Sequence, residues 1–344
     1  MFERPIAPCP RPAALSAWLT AVAALIFLMV IVGGITRLTE SGLSITRWQP
    51  VSGTLPPLDQ AQWQAEFDQY KASPQYQQVN NGMTLSDFKF IFFWEYVHRL
   101  LGRLIGLAFF IPLAFFWWRR AIPAGHGWKL AALFALGGLQ GVIGWWMVAS
   151  GLVDRPEVSH IRLAIHLLAA LFIFAAIVWE ARDLKLIARN PAARPARMPL
   201  LGIWALCALA LQLMFGAYMA GLDAGYAFNS WPRMGDEWFP AGTERMRPLL
   251  RNLADNPIVV QFVHRWLAFL VAAMAIWLGV KAWRRGFAVE GALLIGAVSA
   301  QIFLGILTLL SGVQIDIAVA HQGMAVLLLA AMVTAAHRLG EKQV

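Results

Sequence analysis

FFWEYVHRLLGRLIGLAFFIPLAFFWW, residues 92–118, opens with a carboxylate, a histidine and an arginine, then runs on without charge from Leu104 to its end. A hydrocarbon layer about 30 Å thick is crossed by roughly 20 apolar residues in a helix, and this stretch is longer than that. Similar runs occupy roughly 15–36, 90–118, 128–150, 160–180, 200–221, 258–281, 290–312 and 317–337. Lipid offers no partner to a backbone N–H or C=O, so a spanning chain is a helix or a closed barrel, and these runs lack the alternation of barrel strands. The expected fold is therefore all-α and integral to a membrane, with eight transmembrane helices. Composition agrees: of 344 residues, 59% are hydrophobic and only 14% charged, a balance unsuited to a water-soluble domain.

The net charge of +9 lies in short clusters between the apolar runs, a pattern of membrane topology and not of a nucleic-acid surface. Lys and Arg number 15 in the N-terminus, 119–129, 182–197, 281–285 and the C-terminus, against 9 in the much longer 37–89, 151–160 and 222–257. Cytoplasmic connections carry the excess, so both termini are expected on that side, with membrane lipid as surroundings and no nucleic acid as partner. Residues 15–36 lack an obvious cleavage site and are as long as a full span, so they read as the first helix and not as a removed leader. Cys9 and Cys207 are too far apart in sequence to form a CxxC motif or a disulfide framework. In the first outer connection, LDQAQWQAEFDQYK (58–71) places Trp63, Phe67 and Tyr70 on one helical face; this suits either a lid or a helix resting on the bundle.

The chain repeats itself. GGITRLTESG (33–42) followed by Trp48 matches GAYMAGLDAG (216–225) followed by Trp231, an offset of 183; VHR recurs at 97–99 and 263–265, an offset of 166. Gln140 and Gly151 match Gln301 and Gly312, and His166 matches His321. The offset shrinks only at connections, so residues 1–181 and 182–344 are expected to form two four-helix bundles related by pseudo-symmetry about an axis along the membrane normal.

Four histidines belong to that repeat: His98, His166, His264 and His321, each a few residues past the outer end of its span. At about 1.5 Å per residue they share one depth, roughly 7–12 Å into the layer. One intramembrane histidine serves well enough as a helix-to-helix hydrogen bond. Four at one depth, two per copy, point to a functional site, and paired neutral imidazoles without cysteine suit the axial positions of a haem iron better than a tetrahedral zinc. His126 and His337 fall at cytoplasmic ends and are expected to be solvated, while His160 reads as an interfacial residue, with proton shuttling or gating as the alternative.

The copies differ at one telling position. Glu95 precedes His98 by three residues on the same helix face, and its mate is Gln261. A buried carboxylate can act as general acid or base and an amide cannot, so the first site is expected to do chemistry and the second to hold a cofactor; the plainer alternative pairs Glu95 with Arg99 at i,i+4. Arg99 and Arg265 are candidates to hold haem propionates, and Arg103 either joins them or snorkels.

These residues resemble the heme A synthase family over essentially the whole chain: GGITRLTESGLSI, EYVHRLLGR, HLLAAL, FVHRW and AHQGMAVLLL. The resemblance implies a bacterial inner-membrane enzyme that oxidises a peripheral methyl of heme O to a formyl group by successive hydroxylations, giving heme A for terminal oxidases. By that likeness, His98 and His166 face the iron of the substrate haem, Glu95 is the essential carboxylate, and His264 and His321 ligate haem b. Some members carry a cysteine pair in the first outer loop; residues 37–89 contain none, so the chain resembles a cysteine-free branch. Implied partners are a heme O synthase or other heme O donor, the terminal oxidase assembly machinery and, since no Rossmann or P-loop fingerprint is present, a separate electron donor. Two other functions fit the histidines alone: a non-catalytic di-haem b-type electron carrier, and a haem transporter or chaperone.

Overall fold

The computed structural model describes residues 10–48, 52–153, 155–243 and 246–341. Among these, eight helices are long and apolar enough to cross a membrane: α1 (Pro12–Leu38), α4 (Leu85–Trp118), α5 (Gly127–Ala149), α6 (His160–Arg189), α7 (Leu200–Gly221), α9 (Pro257–Arg284), α10 (Ala288–Leu310) and α11 (Ile315–Gly340). Shorter helices α2 (Gln60–Lys71), α3 (Pro74–Gln78) and α8 (Asn252–Asp255) lie in the long connections. No strand occurs among the described residues.

The helix ends follow local chemistry. Pro sits in the first turn of α1 and α9, where its missing N–H has no intrahelical partner to lose. A capping box of Thr84 and Asp87 starts α4 ahead of the apolar run, and the added turns hold Phe88, Ile91 and Phe92. The amphipathic α2, capped by Asp59, buries Phe67 and Tyr70 against that extension, with the Phe67 and Phe88 rings stacked at 5.0 Å and Trp63 edge-on to Phe92 at 5.0 Å. In this structure it rests on the bundle surface.

Packing proceeds in two rings. In the first, α1 and α5 each touch α4 and α6; in the second, α7 and α10 each touch α9 and α11. The histidine-bearing helices are thus the diagonal pairs of their bundles. The rings meet through α1 against α11, α6 against α7, and α6 against α11. Small residues permit this approach: a Cβ on Gly323 of α11 would fall 2.6 Å from Ile31 of α1, and one on Gly221 of α7 would fall 2.5 Å from the Cβ of His160. Gln322 adds a polar link, donating to the Val30 carbonyl of α1 at 2.9 Å.

At the end of the bundle with short connections, the expectation for two histidines is corrected. His126 and His337 are not solvated; they are 3% and 0% exposed. α6 continues beyond its apolar run and carries Glu180 and Asp183 inward. His126 bonds Glu180, His337 lies 2.9 Å from Asp183, and Lys129 reaches Glu180 at 3.0 Å and Asp183 at 3.8 Å. In the second copy, Glu290 and Arg338 occupy the positions of Lys129 and Asp183 and pair at 2.7 Å, the same bridge with its signs exchanged. Cys207 is a free thiol, and Cys9 lies outside the described residues.

Removing one partner of a buried charged network leaves the others uncompensated, at a cost of about 3 kcal/mol or more. Asp183→Ala is therefore expected to lower the unfolding midpoint of the detergent-purified protein by several degrees, as read by a thermal melt. An unchanged midpoint would mean that this network does not hold the bundles together.

Candidate functional site

The four repeat histidines lie toward the side of the bundle bearing the long connections, and each is half-buried. His166, His264 and His321 sit about two turns into α6, α9 and α11, while His98 lies deeper in α4 only because its capping box lengthens that helix. His98 is within Coulombic range of His166, and His264 of His321.

Each ring is seated against a helical glycine. A Cβ would fall 3.0 Å from His98 Cε1 if built on Gly33, and 2.9 Å from His166 Cε1 if built on Gly144. In the second bundle the distances are 3.2 Å from Gly216 to His264 Cε1 and 2.9 Å from Gly305 to His321 Cε1. Gly33 and Gly216 are repeat mates, as are Gly144 and Gly305. A Cβ at Gly144 or Gly305 would force its histidine ring to move, and one at Gly33 or Gly216 would press its ring back by a few tenths of an ångström.

Glutamines add a second contact. Gln140 Nε2 donates to the His166 carbonyl at 2.7 Å and stands 3.1 Å from its Nδ1; Gln212 does the same for His264 at 2.9 and 3.2 Å. Gln301 Nε2 lies 3.5 Å from His321 Nε2. No cluster of three or more His, Cys, Asp or Glu able to hold a metal ion occurs among the described residues. Two imidazoles across a bundle diagonal, both backed by glycine, fit the two axial positions of a haem and not a tetrahedral centre.

Toward the long connections, the two bundles use the same clamp. Arg99 donates to the carbonyls of Ile45 (2.7 Å) and Arg47 (3.1 Å). Arg265 donates to those of Phe228 (3.0 Å) and Ser230 (2.9 Å), the residues 183 further on. Both arginines thus tie the loop that follows α1 or α7 onto the histidine helix.

Beside this clamp the bundles part ways. Glu95, 3% exposed, accepts from Ser44 Oγ at 2.7 Å, from the Ile45 N–H at 2.8 Å and from Arg99 at 2.6 and 3.0 Å. The i,i+4 ion pair is therefore formed. Gln261 instead donates to the Phe228 carbonyl at 2.8 Å, and the mate of Ser44 is Ala227. Carboxylate and hydroxyl in one bundle have become amide and methyl in the other, with the clamp unchanged.

His160 stands apart from the pairs. It is turned to the second bundle, against Tyr218 and 3.0 Å from Asp255. The seating glycines, Ser44 and Gln212 carried no recognised signal in the sequence, although each glycine falls at its repeat offset.

The profile of the cytochrome oxidase assembly protein family matches residues 16–333. The heme A synthase of Rhizorhabdus wittichii is 58% identical over 100% of this chain and 99% of its own. That of Sphingopyxis alaskensis is 52% identical over 97% of this chain and 94% of its own, and that of Bradyrhizobium diazoefficiens 51% identical over 95% and 91%.

Overfilling a packed contact costs about 1–3 kcal/mol. Gly144→Ala and Gly305→Ala are each expected to push a histidine off its seat, so that the purified protein loses part of its six-coordinate haem absorbance. Gly106→Ala, whose Cβ meets nothing within 4 Å, is expected to leave the spectrum unchanged. Equal spectra for all three would refute the seating role.

Proposed function

Because the chain belongs to the cytochrome oxidase assembly protein family, we propose that it is a heme A synthase, oxidising a peripheral methyl of heme O to the formyl group of heme A. The carrying observation is the asymmetry between two otherwise matched histidine pairs: Glu95 with Ser44 beside one, Gln261 with Ala227 beside the other. A plain electron carrier needs no carboxylate at one site alone, and a haem carrier needs no second permanent site.

In this reading, residues 1–181 form the substrate half and residues 182–344 the haem b half. His98 and His166 hold heme O, and His264 and His321 hold haem b. When bound, these two groups supply the redox chemistry. Glu95 lies one helical turn from His98 and is the proton-handling group of the first half. Arg99 and Ser44 fix its orientation, and Arg99 with Arg265 keeps the loops after α1 and α7 closed on the two sites. Gly33, Gly144, Gly216 and Gly305 set the ring positions.

The basic connections support both termini facing the cytoplasm of a bacterium, in its inner membrane, with the histidine pairs toward the outer leaflet. Heme O arrives from its synthase or another donor, electrons from a separate protein, and heme A passes to the terminal oxidase assembly machinery.

General acid–base groups contribute about 100-fold or more to rate. Co-expressed with a heme O supplier, Glu95→Gln is expected to keep both haems while heme A output, read by chromatography of extracted haem, falls by about 100-fold; normal output would defeat the catalytic role. His264→Ala is expected to lose the b-type absorbance, and full retention of that band would remove the second site.

A further inference from the structure

The seam between α4 and α5 is unlike its mate in the second bundle. There α9 and α10 are closely joined: a Cβ on Gly279 would fall 3.0 Å from the Gly291 carbonyl oxygen, and one on Gly291 would fall 2.5 Å from that of Gly279. The mates of these glycines by offset are Leu113 and Leu130, both buried. Side chains of that size hold α4 and α5 apart, and the two helices are only loosely joined. They touch through aromatic rings, Phe134 of α5 stacking on Phe109 and Phe110 of α4 at 6.1 and 5.5 Å.

Between those rings and the histidines, the seam is a trough. On α4, His98, Gly102 and Gly106 follow at steps of four residues; on α5, Phe134, Gly137, Gly141 and Gly144 follow at steps of three or four, so each set shares one helix face. Gly144 is the seat of His166. A Cβ on Gly106, Gly137 or Gly141 would meet no atom within 4 Å, and all three residues are exposed. In the second bundle the same places are filled. The mates are Ala272, Val298 and Ile302, the first two buried and the third packed against the core. The glycines of the first bundle thus coincide with unpacked space that starts at a histidine pair, and that space has no counterpart beside the other pair.

Heme O differs from haem b by a long isoprenoid chain in place of a vinyl group. A porphyrin held between His98 and His166 must let that chain out of the bundle. The chain is as apolar as lipid, so nothing is gained by enclosing it, and an opening at the depth of the iron lets it leave the ring without parting two packed helices. From His98 to Phe109 the trough runs roughly 16 Å along α4.

We propose that the trough between α4 and α5 takes the isoprenoid tail of the substrate haem, with Phe109 and Phe134 as its floor. The inference rests on the substrate-haem reading of the first bundle, which it deepens.

Haem loading tests this without turnover. The purified full chain, holding haem b in its second bundle, is titrated with heme O or with further haem b, and bound haem is read by absorbance and by chromatography of the extract. Gly137→Leu and Gly106→Leu fill the trough from opposite walls, with a residue that favours helix over the glycine it replaces. Each is expected to weaken heme O binding by about tenfold, within the range for overfilling a contact, and to leave the binding of further haem b, which has no tail, unchanged. Gly137→Ala is expected to bind heme O like the parent. Equal weakening of heme O and haem b would mean that the substitutions disturb the iron site and not a tail. Unchanged heme O binding in both leucine variants would mean that lipid chains occupy the trough. Either result overturns the proposal. A parent chain that takes up neither haem beyond the one in its second bundle would instead sink the underlying assignment of the first bundle, a separate and distinguishable result.

Discussion

An imidazole inside a hydrocarbon layer must be given something to do, and in this chain the answer is a flat ring pressed against bare helix backbone. Gly33, Gly144, Gly216 and Gly305 are what make that contact available. A β-carbon at any of them would crowd a histidine edge, most severely at Gly144 and Gly305, so backbone packing helps to set the ring positions. The rest of the architecture serves this seating. α1 and α5 supply the glycines of the first bundle, α7 and α10 those of the second, and the histidines come from the diagonal helices that these flank. The arginine clamps then fasten the loops to the same helices.

The repeat is also broken at particular places: Ser44 and Ala227, and Glu95 and Gln261, are mates by sequence offset whose chemistry differs. The changes are coordinated: a carboxylate arrives with a hydroxyl and a backbone N–H to receive it, and an amide arrives with a carbonyl to accept its proton. At the opposite end, the exchanged signs of Lys129–Asp183 and Glu290–Arg338 make the two bundles chemically unequal there too.

The eight spans, the repeat and the four histidines were legible because each leaves a one-dimensional trace: an apolar run, a fixed offset, a costly residue in lipid. Boundaries were less so. α4 begins at Leu85 because of a capping box outside the apolar run, and α6 continues to Arg189 although charges begin at Glu180. The buried state of His126 and His337 escaped sequence reasoning for the same reason, since their partners Glu180 and Asp183 are some 54 and 154 residues away. Seating glycines are invisible in isolation, as a glycine in a membrane helix has many uses. Only the coordinates distinguish these four, and only the repeat shows that the arrangement occurs in both bundles.

The account stands or falls on each histidine pair holding one haem. The most direct measurement is the ratio of haem to protein in chain purified from cells supplying heme O, combined with electron paramagnetic resonance of the oxidised sample. Two haems of different type per chain, each giving a low-spin signal with two imidazole ligands, is the predicted result. A ratio limited to one under saturating supply, or signals lacking paired imidazoles, would contradict it.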